Sequence, residues 1–76
     1  MKNVTRHYGK LEIIRREQSS INGNPRYLLR VDGYLCVTTP DSSMAYSLPN
    51  LDGKQVEALI GTHYGKTSLG SAWLAD

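Results

Sequence analysis

Between Arg26 and Val31 the side chains alternate: Tyr27, Leu29 and Val31 fall on one parity, and Arg26, Leu28 and Arg30 on the other. A period of two marks a half-buried strand, here with a basic outward edge. Asp32-Gly33 follows, and both residue types tolerate the positive φ that a type I′ hairpin turn demands. Tyr34–Thr39 then returns as the antiparallel partner. Upstream, Lys10–Gln18 is rich in β-formers, but Leu11 and Ile13 share one parity while Ile14 takes the other. That break predicts either a bulge at this point or a strand covered on both faces. The stretch from Ser19 to Pro25 carries Asn-Gly and a proline, so it reads as a turn.

Pro40 ends the second arm of the hairpin. Asp41–Tyr46 suits one helical turn, capped by Asp41 or Ser42, held by Met44 or Tyr46 against the sheet, and closed by Pro49. After a turn at Asp52-Gly53, Val56, Ala58 and Ile60 alternate with Glu57 and Leu59. Strand is favoured there, with helix as runner-up because the residues also include good helix formers. Residues 62–64 and 67–74 form the arms of a last hairpin turning at Tyr64-Gly65-Lys66, with Trp73 folded back on the barrel mouth. Residues 1–9 show no period and are expected to be a flexible N-terminal arm; residues 10–76 form a single domain. The predicted fold is mainly β: a small five-stranded antiparallel, partly closed barrel, OB-like or SH3-like, with at most one short helical turn. Curling into a barrel removes the exposed edges that an open sheet this small would present.

Length tightens this picture. With 76 residues, the chain has room for one domain, which buries only about 60% of its unfolded surface. No run approaches the roughly 18 apolar residues that a membrane-crossing helix needs, so no membrane is expected as partner. The basic start MKNVTRHYGK has no apolar stretch behind it and does not read as a secretory signal. One cysteine, Cys36, closes no intrachain disulfide. A reducing, cytoplasmic setting follows as the expectation. The net charge is only +2, but residues 1–38 carry a balance of +4 and residues 39–76 one of −2. A chain polarised in this way steers an anionic partner to one side.

Candidate chemistry is sparse. Gly61-Thr62-His63-Tyr64-Gly65-Lys66-Thr67 looks like a phosphate-binding loop, yet only three residues separate the first glycine from the Gly-Lys-Thr, where four are required. No long helix follows, so a glycine-assisted hairpin is the better reading. His7 and His63 lie far apart in sequence, and no metal or cofactor is expected. Cys36 alternates with apolar neighbours and reads as a buried or half-buried thiol. Asp32 and Asp52 precede glycines and belong to turns, and Asp41 belongs to a cap. No pair of groups suits acid–base or nucleophilic catalysis, and no enzyme is expected.

What remains is a cationic and aromatic face made of Arg16, Arg26, Leu28 and Arg30, with Tyr34 and Tyr64 near its rim. Arginine and tyrosine are favoured at interface centres, so a non-enzymatic protein-interaction module, self-associating or binding another protein, comes first. The alternative is a small barrel that binds single-stranded DNA or RNA, its cations following phosphates while its rings stack on bases. At Gly23-Asn24-Pro25-Arg26-Tyr27, Asp32-Gly33 and Thr39-Pro40-Asp41, the chain resembles small uncharacterised proteins carried by bacteriophages, over residues 23 to 46 with gaps. That resemblance implies an accessory protein acting on a host or viral component.

Overall fold

A computed structural model describes residues 1–19, 21 and 23–75. Five strands, β1 (Lys2–Glu17), β2 (Arg26–Val31), β3 (Tyr34–Thr38), β4 (Gln55–His63) and β5 (Lys66–Leu74), close into a ring in the order β1-β2-β3-β5-β4. A 3-10 helix, Ser43–Leu51, connects β3 to β4. Strand β5 lies between β3 and β4, and β4 returns to β1. This Greek-key crossing favours the OB-like alternative over the SH3-like one.

The ring is irregular. Four of its seams are antiparallel, but β3 and β5 run parallel and share only two ladder positions, Val37 with Ser68 and Thr38 with Leu69. The expected all-antiparallel sheet is therefore a mixed one. A Greek key brings its last strand back beside an earlier one whose direction is already set, and here the two directions coincide.

Strand β1 is long because it serves two neighbours. Lys2–Lys10 pairs with β4, and Leu11–Glu17 pairs with β2. The residues expected as a loose arm are thus ordered strand. Thr5, exposed, and His7, half-buried, stand opposite Ile60 and Ala58, so hydrogen bonding to β4 carries this segment where no apolar period exists. Gly9 permits the bend that lets β1 change partners: a Cβ there would stand 2.7 Å from the Cβ of Asp32 and 2.9 Å from its Cα.

Besides a register shift near the start of β1, between Lys2 and Thr5, two bulges decide which way side chains point. In β1 the register shifts between Ile13 and Arg15, so Ile14 is the extra residue, as the broken alternation suggested. In β5 the register shifts between the partners of Leu59 and Ile60, and Gly70 is extra. Each bulge inverts the in–out phase downstream. Trp73 consequently faces outward opposite Glu57, 38% exposed, with the Arg6 guanidinium 5.9 Å from its ring. It does not fold onto the mouth, where counting from Leu69 without a bulge would put it.

The core is Leu11, Tyr27, Leu29, Val31, Cys36, Val56, Ala58, Ile60 and Leu69 from the strands, closed at one end by Ala45, Leu48 and Leu51. Those last three are spaced by three, the period of a 3-10 helix, so one stripe of it plugs the barrel. The segment runs through Pro49 instead of stopping there, and Ser42 precedes it without a side-chain capping bond. Met44 is only partly buried, and Tyr46 is exposed, its hydroxyl donating to the Gly23 carbonyl at 3.1 Å.

Candidate functional site

The outer face of β2 and β3 follows from the alternation already noted. Tyr27, Leu29 and Val31 turn inward, leaving Arg26, Leu28 and Arg30 outside. Arg26 and Arg30 are four residues apart, about 13 Å along the strand. Across the seam Leu28 stands opposite Val37, and Arg30 opposite Leu35. The face therefore has an apolar floor of Leu28, Val37 and Leu35 with cations at its ends.

Arg26 is held in place. Its Nε and Nη2 donate to the Thr38 carbonyl at 3.3 and 2.9 Å. The Thr38 hydroxyl, fully buried, accepts from the Tyr27 amide at 3.0 Å. A guanidinium has five N–H donors, so several remain for a ligand once one carbonyl is satisfied.

The β4–β5 turn arches over this face. His63, Tyr64, Gly65 and Lys66 form a turn in which both central residues have positive φ, 52° at Tyr64 and 78° at Gly65. Lys66, the first residue of β5, borders three contiguous depressions. One is shared with Arg26, Val37, His63 and Tyr64, one with Glu17 and Arg26, and one with Leu28, Leu35 and Cys36. The buried Ser68 hydroxyl donates to the Lys66 carbonyl at 3.0 Å and so fixes the backbone that carries the lysine. Tyr64 is 93% exposed at the turn's tip, with the His63 ring 4.5 Å away, edge-on.

No family model, curated protein or solved structure matches this chain. Of the residues singled out in the sequence, Arg26, Leu28 and Arg30 share one face, and Tyr64 stands at its edge. Arg16 does not join them. The Ile14 bulge sets Arg15 beside Leu28 and leaves Arg16 opposite the inward Tyr27. Tyr34 also lies elsewhere: it opposes the inward Val31 and contacts His7, with ring centroids 4.4 Å apart.

Lys66 and Arg15 complete the face and were not among the residues chosen from the sequence. Lys66 was visible as the cation after a Tyr-Gly turn, and Arg15 as the residue a bulge would rotate outward. Arg15 is partly neutralised by Glu17, 3.2 Å away, whereas Arg26, Arg30 and Lys66 enter no ion pair among the described residues. The Cys36 thiol beneath is buried, and desolvation pushes its pKa up to about 11, so it is a poor nucleophile. No helix is long and apolar enough to cross a membrane, and no cluster of three potential metal ligands occurs among the described residues.

Proposed function

We propose that the protein acts by binding, and that its ligand is single-stranded nucleic acid lying across the outer face of β2 and β3 beneath the β4–β5 turn. Tyr64 carries this reading. A non-glycine residue in the left-handed region is costly, and turns of this type prefer Asn, Asp or Gly at that position. A tyrosine kept there, almost wholly in solvent, gains only the edge-on contact with its neighbour His63; such strain points to a functional role. A ring on a basic groove is the recipe for stacking one base while Arg26, Arg30 and Lys66 follow the phosphates. In OB-like barrels the same strands and loops bind oligonucleotides.

The test is fluorescence anisotropy of a labelled twelve-nucleotide oligothymidylate over a salt series. Three phosphate contacts on a single strand give a log–log slope near −2, or about a twenty-fold loss between 50 and 200 mM salt. Lys66→Glu should abolish most binding without lowering the melting temperature. Absence of binding at 100 μM protein in about 50 mM salt, or full retention in Lys66→Glu, would sink the reading.

A second reading, the protein-interaction module, rests on the opposite side of the ring. There Tyr8 and Trp73 are exposed around the Arg6–Glu57 pair, which closes at 3.4 Å. Aromatic rings beside an arginine suit a protein interface. Pull-down from nuclease-treated lysate separates the two readings: a protein retained by wild type and lost in Trp73→Ala supports the second. Either activity is compatible with the accessory role in a cytoplasmic setting that the phage resemblance implies.

A further inference from the structure

Apart from its two ladder positions with β3, β5 pairs with β4, and Tyr34, Leu35 and Cys36 have no ladder partner on their β5 side among the described residues. The resulting slot opens into a depression of about 370 Å³ lined by Asn3, Thr5, His7, Tyr34, Thr62 and Thr67, among others. The depression is broad and open to solvent, and Ile60 and Gly61 complete its lining. Thr67 also borders the depression beside Lys66, so the slot continues from the proposed groove.

Its lining is organised. The Thr5 hydroxyl donates to the Ile60 carbonyl at 3.4 Å and lies 2.6 Å from His7 Nε2. This contact engages Nε2 and leaves Nδ1 as the ring nitrogen open to a ligand, donor or acceptor according to the tautomer. The Tyr34 ring, 52% exposed, leans on the imidazole at 4.4 Å and 54°. An aromatic face, a free imidazole nitrogen, threonine hydroxyls and an unpaired strand edge are the chemistry that recognises a heteroaromatic ring with polar edges. The Thr62 hydroxyl donates to the Lys2 carbonyl at 3.3 Å, so it meets a ligand as an acceptor.

We infer that this slot is a base-binding subsite: one unpaired nucleobase of the strand held by Lys66 leaves the groove past Thr67 and stacks on Tyr34, its edge read by His7 and the threonines. The inference rests on the proposed single-strand binding and adds a second, separate contact point to it. A single abasic position is moved along the oligonucleotide, and affinity is measured for wild type, Tyr34→Leu and Tyr34→Phe. The expected result is a five- to fifty-fold loss at two abasic positions in wild type, one of which disappears in Tyr34→Leu and returns in Tyr34→Phe. Leucine keeps an apolar contact with His7, and thermal melting confirms that the variant is folded.

A flat response to Tyr34→Leu, while Lys66→Glu still abolishes binding, would overturn the subsite and leave the groove intact. No binding by wild type would overturn both. Unchanged oligonucleotide binding together with amide protection of Leu35 and Cys36 by an added peptide would show that a protein strand pairs with this edge instead.

Discussion

Two turns of the same shape hold very different residues. Asp32-Gly33 and Tyr64-Gly65 both place a non-glycine residue near φ 50° followed by a glycine near φ 80°. Aspartate is at home there and tyrosine is not. Tyr64→Asn should therefore raise stability by about 1 kcal/mol, or roughly 4–8 °C in melting temperature, while weakening oligonucleotide binding about tenfold. Opposite signs in the two assays would mark Tyr64 as strain retained for function; a variant that melts lower would remove that argument.

Cys36 gives a pH signature at the same scale. Burial raises its pKa from 9.0 to about 11, so above pH 9 the unfolded chain releases the proton first. The unfolded state then binds fewer protons than the native one, and stability falls as pH rises between those values. Urea midpoints at pH 8 and 10.5 should diverge more in wild type than in Cys36→Ala.

At the scale of elements, β1 and β5 show how one extra residue redirects a surface. The Ile14 bulge delivers Arg15 to the β2–β3 face, and the Gly70 bulge delivers Trp73 to the opposite side. The bend of β1 depends on Gly9 lying against the backbone of Asp32. Gly9→Ala forces Asp32 away and should cost about 1–3 kcal/mol by overpacking, a drop of roughly 10 °C in a thermal melt. An unchanged melting temperature would mean that the β2–β3 turn moves aside freely. The 3-10 helix tells a related story: the sequence signalled its start after Pro40, but its length followed from the gap at the barrel end that Ala45, Leu48 and Leu51 fill.

For the whole molecule, ring closure by only two parallel pairs matters most. Because β3 and β5 part so soon, the β4–β5 turn can lean over the β2–β3 face, and Lys66 meets Arg26 across Val37. The same parting opens the slot at Tyr34. Groove and slot thus arise from one topological compromise, and the salt slope and the abasic scan measure its two outcomes separately.

Local chemistry alone determined the β2–β3 hairpin, the turn at Gly65 and the outward arginines of β2, favoured strand for β4, and marked Ile14 as the place where the alternation breaks. Each depends on neighbours within a few residues, through parity, allowed φ or a missing donor. Tertiary structure decided the rest. The arm became strand because β4 lay beside it; Arg16 and Trp73 changed sides because a bulge reverses every position after it; and Lys66 joined Arg26 because a Greek key brings distant strands together. Parity propagates along a chain only until the ladder slips, and whether it slips is settled by the partner strand.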